Sequence, residues 1–268
     1  YVEACELYHE ISAEYFGSDE DRMTEAESKL RDALYSDGQF ARAEKMTRQF
    51  RAETIDRHGN GSVEAMEALL EHADYLLLTD QLTEARDAAE RVYKYALGPE
   101  GGDNLDFIYV KQIYAATLLA LGEIDEAKGL YDQKQTPDSF PTEIAYLGDQ
   151  GNLNEGVKVL VFFETWCPFS QKYIPRIEAV HEQYSDLGVD VIGWTQVSKS
   201  SSDDRVRGFI LDNQVSFSVL KDNGRPFNFF DATGVPHTVV LHEGEIIWQA
   251  SGAIRETGRV VEGIAYAK

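Results

Sequence analysis

Long hydrophobic runs and basic residues are both scarce in this 268-residue chain. No apolar run approaches the roughly 18 to 20 residues needed to cross a bilayer, and no glycine-rich nucleotide-binding loop is present. The chain has 25 Lys and Arg against 47 Asp and Glu, which gives a net charge of −22. This balance argues against nucleic acid and anionic membranes as partners, because both are bound through basic surfaces.

Cysteine is almost absent, since Cys5 and Cys167 are the two thiols in the sequence. A disulfide between them would need Cα atoms within about 7 Å, which nothing supports for a helix at the chain start and a turn far along the chain. We therefore expect Cys5 to lie on the apolar stripe of the first helix beside Leu7, Tyr8 and Ile11. One cysteine in each half of the chain, with histidines at no ligand spacing, does not form a metal-ligand set, so the sequence predicts no metal and no cofactor.

The length favours two domains, because 268 residues exceed what one hydrophobic core usually organises. Residues 1–135 are rich in alanine and acidic residues with apolar positions at helical spacing, and they predict an all-α domain. Residues 136–268 predict an α/β domain, and Pro137 and Pro141 mark the boundary. The chain begins with Tyr1 rather than methionine, so we expect a processed product, and the missing signal peptide says little about the compartment.

The helical part contains an internal repeat of 42 residues, which aligns Phe40, Leu82 and Ile124. An alanine follows three residues later in each copy, and the column before holds Gly38, Asp80 and Gly122. A fixed period of this size predicts stacked helical hairpins. The pattern resembles the turn of a tetratricopeptide repeat, although that family's period is about 34 residues. The resemblance implies a surface that holds a protein or peptide, and a plain helical bundle without a partner site is the alternative.

A short buried strand precedes Cys167. The run Val159 to Phe163 is unbroken, apolar and rich in β-branched and aromatic residues, as in a strand covered on both faces. Ile174, Ile177 and Val180 then recur at helical spacing, which predicts a helix whose first turn holds Cys167. The free N–H groups of a helix start favour a thiolate over a thiol, so Cys167 is predicted to be a nucleophile. The alternative is a small buried apolar side chain.

The sequence Trp166-Cys167-Pro168-Phe169-Ser170 resembles the Trp-Cys-x-x-Cys turn of thioredoxin-like proteins. Downstream, Val235-Pro236 resembles that family's cis-proline loop, where a cis bond is plausible because X-Pro steps tolerate it. The segment "TPDSF" is similar to one in TlpA/ResA-type members. The resemblance implies a thioredoxin-like fold from about Pro137 to the end of the chain, and an extracytoplasmic location, since such relatives usually act there.

Ser170 stands where the family has its second cysteine. A hydroxyl cannot attack a mixed disulfide, because only a thiolate exchanges with disulfide sulfur. The domain alone is therefore not expected to perform net dithiol oxidoreduction. The predicted function is monothiol chemistry at a site of Cys167 and Ser170, which forms mixed disulfides with protein or peptide clients or aids their exchange. The alternative is a redox-inactive scaffold in which both domains bind proteins. A one-cysteine peroxidase is disfavoured, because Glu164 occupies the position of a required threonine or serine.

The resemblance also predicts which residues surround the sulfur. Glu164 would oppose thiolate formation by charge repulsion if its carboxylate lies near the sulfur. His237 could hydrogen-bond the sulfur or act on a leaving thiol, with a structural histidine as the alternative. The predicted partner-binding rim consists of Trp166, Pro168, Phe169, Val235, Pro236 and His237. The oligomeric state stays open.

Overall fold

A computed structural model of the chain describes residues 1–16, 19–101, 104–198, 201–252 and 255–267. Its contacts divide the chain into two compact units, Tyr1–Ile113 and Tyr114–Lys268. The division falls before the predicted boundary at residue 135, because the last helix of the helical region, Ile124–Lys128, contacts the strand Glu245–Ser251 inside the second unit. The domain limits 1–135 and 136–268 stay a prediction.

Helices make up the regular structure of the described residues up to Lys128. They are α1 (Val2–Phe16), α2 (Glu20–Asp37), α3 (Phe40–His58), α4 (Val63–Leu78), α5 (Leu82–Ala96), α6 (Phe107–Ala120) and α7 (Ile124–Lys128). The prediction of a helical N-terminal part is therefore confirmed.

The three repeat turns share one backbone conformation. The turn residue has a positive φ of 79° at Gly38, 65° at Asp80 and 75° at Gly122. Glycine adopts this left-handed conformation freely, and aspartate tolerates it better than most residues. Each turn closes with the same pair of hydrogen bonds, such as Gly38 N to Tyr35 O and Gln39 N to Leu34 O. The alanines that follow have no exposed surface, namely Ala43, Ala85 and Ala127.

The first helix departs from expectation at three residues. Cys5 is buried at 7% exposure in a core cluster with Leu30, Leu34 and other residues of the helical unit. Leu7, Tyr8 and Ile11 were predicted to share its buried stripe, which is wrong, since they are 57%, 38% and 43% exposed. The α1 stripe that is buried thus includes Cys5 but not these larger side chains.

The C-terminal part is a six-stranded mixed sheet with helices, as predicted. The strands are β1 (Ala145–Leu147), β2 (Val157–Phe163), β3 (Val189–Thr195), β4 (Ser218–Lys221), β5 (His237–His242) and β6 (Glu245–Ser251). The helices are α8 (Pro168–Tyr184), α9 (Asp203–Asp212), α10 (Arg225–Phe229) and α11 (Thr257–Tyr266), with a 3-10 turn at Ser185–Leu187. Neither β1 nor α10 was predicted from the sequence, because three and five residues are too few to show a period.

Strand β2 lies inside the sheet, whose order is β1-β4-β3-β2-β5-β6. It pairs in parallel with β3 and antiparallel with β5, while β3 pairs in parallel with β4. Val159, Leu160 and Val161 have no exposed surface, as predicted for a strand covered on both faces. This central position brings the carboxyl end of β2 next to the start of β5.

The segment after α7 covers the edge of the sheet instead of continuing as helix. The side-chain amide of Gln133 donates to Ile246 O at 2.9 Å and accepts from Ile246 N at 3.0 Å. This pairing satisfies one residue of the open edge of β6, where unpaired backbone groups otherwise attract other chains. Across the described ranges, no helix combines the length and hydropathy needed to cross a bilayer.

Candidate active site

Cys167 lies at the junction between β2 and α8. It is the N-cap residue of α8, with extended backbone angles (φ −78°, ψ 119°), and Pro168 occupies the first turn of the helix. Proline suits this position, because the N–H group it lacks would have no partner inside the helix. The remaining N–H groups of the first turn give this end a partial positive charge. The thiol is nearly covered, since Cys167 is 5% exposed.

The sulfur contacts the proline loop that the sequence indicates. Cys167 Sγ donates to the carbonyl oxygen of Val235 at 3.4 Å. The Val235–Pro236 peptide bond is cis, as the sequence predicts. This hydrogen bond needs the proton of the thiol, so ionisation of the sulfur would break the bond. Cys167 and the proline loop are therefore brought together at the carboxyl end of the central strand.

Ser170 is fully buried beside this turn, with no exposed surface. Its Oγ accepts a long hydrogen bond from the backbone N–H of Glu164 at 3.4 Å. The residue that replaces the family's second cysteine is thus enclosed within the turn. At this position the chain offers a hydroxyl and no second thiol.

The carboxylate of Glu164 is held by polar neighbours. Glu164 is 8% exposed, and its carboxylate accepts hydrogen bonds from Trp166 Nε1 and from Ser198 Oγ. Trp166 Nε1 also lies 3.2 Å from Ser198 Oγ. The carboxylate therefore fixes the indole of the Trp-Cys turn, and its predicted effect on the sulfur stays a prediction.

A second buried carboxylate, which sequence reasoning missed, belongs to Asp222. It accepts from Gln196 Nε2 at 3.1 Å and from Gly224 N at 2.7 Å. Burial raises the pKa of Asp222 above its usual range, and the negative charge of Glu164 raises it further. Neither Asp222 nor Ser198 carries a local signal in the sequence, because the fold, and not spacing along the chain, brings Ser198 to Glu164 and Asp222 within range of its charge.

His237 begins β5 directly after the cis-proline and is 5% exposed. Its Nδ1 lies 2.7 Å from Ser251 Oγ, while its buried Nε2 has no hydrogen-bond partner in the described structure. Burial lowers the pKa of His237 to about 4, so the ring is neutral near pH 7. The hydrogen bond of the ring goes to Ser251, and the predicted action of His237 on the sulfur or a leaving thiol stays a prediction.

The predicted rim residues differ in exposure. Pro168 and Phe169 are exposed, and Phe169 shows 62% of its surface. Trp166 and Val235 are partly exposed, whereas Pro236 is buried. An apolar surface thus lies next to the covered sulfur, as a site for an extended chain would need. Among the residues that the structure describes, no three His, Cys, Asp or Glu side chains form a metal-ligand group.

Comparison with known proteins gives matches to the C-terminal part. Residues 147–266 match the Redoxin family model. The chain is 30% identical over 101 residues to the thiol-disulfide oxidoreductase ResA of Halalkalibacterium halodurans. The aligned region covers 36% of this chain and 54% of ResA. It is 28% identical over 123 residues to the thioredoxin-like protein YneN of Bacillus subtilis, covering 44% of this chain and 70% of YneN.

The chain thus spans about half the length of ResA. The crystal structure of StoA from Bacillus subtilis superposes with a TM-score of 0.40 and 20% identity, over 47% of this chain and 98% of StoA. The Redoxin match and the two relatives support the predicted resemblance to thioredoxin-like proteins in the C-terminal part of the chain. Residues 147–266 are thus similar to the Redoxin family, and part of this region is similar in sequence to a thiol-disulfide oxidoreductase.

Proposed function

We propose that this protein is a monothiol member of the thioredoxin-like group, which forms mixed disulfides with protein or peptide clients through Cys167. The observation that supports it best is the position of the sulfur, which caps α8 and lies 3.4 Å from Val235 O next to the cis-proline. Phe169, exposed beside it, offers an apolar contact for a bound client. An extracytoplasmic location belongs to the proposal, because client disulfides persist in oxidising compartments.

The proposed chemistry is balanced without a second thiol in the domain. The Cys167 thiolate attacks one sulfur of a client disulfide, an S–S bond forms between the two proteins, and the other client sulfur leaves as a thiolate. Ser170 does not take part in the next step as a nucleophile. A different client thiolate then attacks the client sulfur of the mixed disulfide and releases the Cys167 thiolate, which isomerises the client. Alternatively, one external small thiolate attacks the Cys167 sulfur and releases the reduced client, and a second one frees Cys167 and leaves as the small-molecule disulfide.

The helical hairpins are proposed to be tetratricopeptide-like and to hold the client. Support comes from the 42-residue repeat with its three equivalent left-handed turns. Each repeat fully buries an alanine, a side chain small enough to allow close packing of paired helices. Such arrays commonly present an extended surface to a peptide or protein.

A redox-inactive scaffold is the second candidate, and two observations favour it. The thiol is only 5% exposed, and its contact with Val235 O uses the sulfur's proton. In this reading Cys167 is a packing residue, and both parts of the chain act as binding surfaces.

The rate of alkylation of Cys167 by iodoacetamide between pH 5 and 10 separates the candidates. The measurement uses a Cys5→Ala background, so that one thiol remains. Monothiol chemistry predicts that the rate reaches half its maximum well below the pKa of a free cysteine, which is about 8.5. A half-maximum at or above that pH, or no reaction of the folded protein, supports the scaffold.

Trapping of clients provides the second arm. Oxidised extract from a compartment that contains disulfides is mixed with the protein, quenched with acid and separated without reductant. The proposal predicts adducts that disappear with dithiothreitol and that a Cys167→Ser variant does not form. Equal adducts in both proteins would contradict it.

A further inference from the structure

The helical unit Tyr1–Ile113 contains a cavity of about 490 Å³ that several arginines line, although the chain carries a net charge of −22. It lies between α3, α4 and α5, and we call it the arginine pocket. Its charged and titratable lining residues are Arg48, Arg51, His72, Glu84, Asp87 and Arg91. A basic cavity in an acidic protein is a candidate site for an anionic group.

The positive charges of the pocket are unequally compensated. Arg48 pairs with Glu44 at 2.6 Å, and Arg91 donates to the neutral carbonyl and side-chain oxygens of Asn60 at 2.8 and 3.1 Å. Arg51 has no hydrogen bond or ion pair with any residue that the structure describes, and its Nε is buried. Burial, and secondarily the charge of Arg91, lower the pKa of Arg51. A carboxylate facing Arg51 would satisfy both the charge and the donor.

His72 supplies a complementary acceptor. The side chain is 5% exposed, and its Nε2 lies 3.0 Å from Glu44 Oε1. A carboxylate oxygen accepts, so Nε2 carries the proton. Burial lowers the pKa of His72 and outweighs the hydrogen bond and charge of Glu44, which raise it, while the charges of Arg51 and Arg48 lower it further. The ring is therefore neutral near pH 7, and Nδ1 is left as an acceptor. This buried Nδ1 has no partner within the described part of the chain.

We propose that the arginine pocket binds one carboxylate of a client peptide, with the carboxylate on Arg51 and a backbone N–H of the same peptide on His72 Nδ1. The inference extends the proposed function, because it names the chemistry by which the helical hairpins hold a client. The planar fork of arginine matches a carboxylate. A peptide carries both the acceptor and the donor that the two buried atoms require, whereas a carboxylate alone carries only the acceptor.

The remaining lining residues limit which peptides fit. Leu69, Leu76 and Ala88 give the pocket an apolar wall that suits an aliphatic neighbour of the carboxylate. Glu84 and Asp87 are exposed lining residues and repel additional negative charge. The preferred segment therefore has a single carboxylate next to aliphatic residues, and a polyacidic run should bind less well. The carboxylate comes either from the C-terminus or from an acidic side chain.

Isothermal titration calorimetry with the full chain and three cysteine-free, unlabelled, N-acetylated peptides tests this inference. The first is Gly-Ser-Ala-Leu-Val with a free C-terminus, the second is its C-terminal amide, and the third is the amide of Gly-Ser-Asp-Leu-Val. We expect one carboxylate peptide to bind at least tenfold tighter than the neutral amide, roughly the worth of a charge-assisted hydrogen bond. The first or third peptide, whichever binds tighter, identifies the source of the carboxylate.

Substitutions in the pocket provide the matched controls. Arg51→Gln should weaken the tighter carboxylate peptide at least tenfold, whereas Arg42→Gln removes the same charge from an exposed position of α3 and should leave binding unchanged. Asp87→Asn removes a repelling carboxylate and should tighten binding by about threefold. Circular dichroism and thermal unfolding establish that each variant is folded, and Asp87→Asn tests the pocket by a gain if Arg51→Gln does not fold.

Three results would overturn the inference. The first is that the neutral amide binds as tightly as the carboxylate peptides. The second is that Arg51→Gln and Arg42→Gln weaken peptide binding equally. The third is that inorganic phosphate displaces the peptide and binds with the same affinity, which would identify a simple anion site. Since the probes contain no sulfur, peptide binding can fail while Cys167 still forms mixed disulfides. Conversely, trapping can fail while the peptides bind, so the two proposals are separable.

Discussion

Acid should lower the free energy of unfolding of the Tyr114–Lys268 unit through protonation of His237. Burial holds the pKa of this ring at about 4 in the folded protein, against 6.5 for an ordinary histidine in the unfolded chain. Between these values the unfolded chain binds a proton that the folded chain excludes. The ring's contribution to stability is therefore complete above pH 6.5 and is lost as the pH falls toward 4.

The size of the effect follows from the two pKa values, which differ by about 2.5. Each pKa unit corresponds to about 1.4 kcal/mol, so the free energy of unfolding should fall by about 3 kcal/mol from this group alone. No discount for solvent is needed, because the side chain is 5% exposed. The loss is a large part of the 5 to 15 kcal/mol that stabilises a typical domain.

Urea unfolding between pH 7.5 and 4, followed by tryptophan fluorescence, measures this effect. All three tryptophans, Trp166, Trp194 and Trp248, lie in the Tyr114–Lys268 unit, so the signal reports that unit. His237→Gln does not titrate and keeps an amide that can bond Ser251. The unfolding free energy of the wild type should fall by about 3 kcal/mol more than that of the variant. Asp222, whose pKa is raised, acts with the opposite sign in both proteins and cancels.

His242→Gln is the control, because it removes a partly exposed histidine at the other end of β5. This variant should follow the wild type across the whole range. Parallel curves for the wild type and His237→Gln would refute the reasoning, since they would mean that the folded protein protonates the ring as readily as the unfolded chain does.

Further substitutions test the site and the packing. Ser170→Cys, in a Cys5→Ala background, should give the turn a second thiol and so create dithiol activity. The assay is the reduction of insulin with dithiothreitol, in which the wild type should lack this activity. No gain would argue against a thioredoxin-like arrangement of the turn. Gly263→Ala should destabilise the unit by about 1 to 3 kcal/mol in thermal unfolding, because its Cβ would lie 2.0 Å from Leu119 O. Gly258→Ala on the same helix, with no atom within 4 Å of the added Cβ, should change stability by less, and equal losses would contradict the packing argument. Gly38→Ala should cost about 1 kcal/mol, because its φ is 79°, and an unchanged melting temperature would count against strain at that turn.

Several parts of the fold could be predicted from the sequence because their signals are local. The apolar run of β2, the helical spacing after Cys167 and the 42-residue repeat each depend on residues close together or equally spaced. The cis bond before Pro236 followed from the resemblance of the motif. The short elements β1 and α10 gave no such signal, since β1 is defined by its pairing with β4 and not by a period of its own.

The surroundings of the sulfur could not be predicted in the same way. The sequence indicates that Glu164 and His237 lie near the Trp-Cys turn and the proline loop. It does not indicate that Glu164 accepts from Trp166 and Ser198, or that His237 bonds Ser251. Those partners are distant in sequence, and each side chain had more than one plausible neighbour.

By itself, then, the sequence determined the kinds of element, the single thiol of the C-terminal part and the hydroxyl in place of a second one, because residue identity limits which reactions are possible. The tertiary structure decided how far the thiol is covered, which buried groups are neutral and where arginines gather in an acidic chain. Burial and charge pairing depend on which distant segments pack together, and a linear pattern does not contain that information.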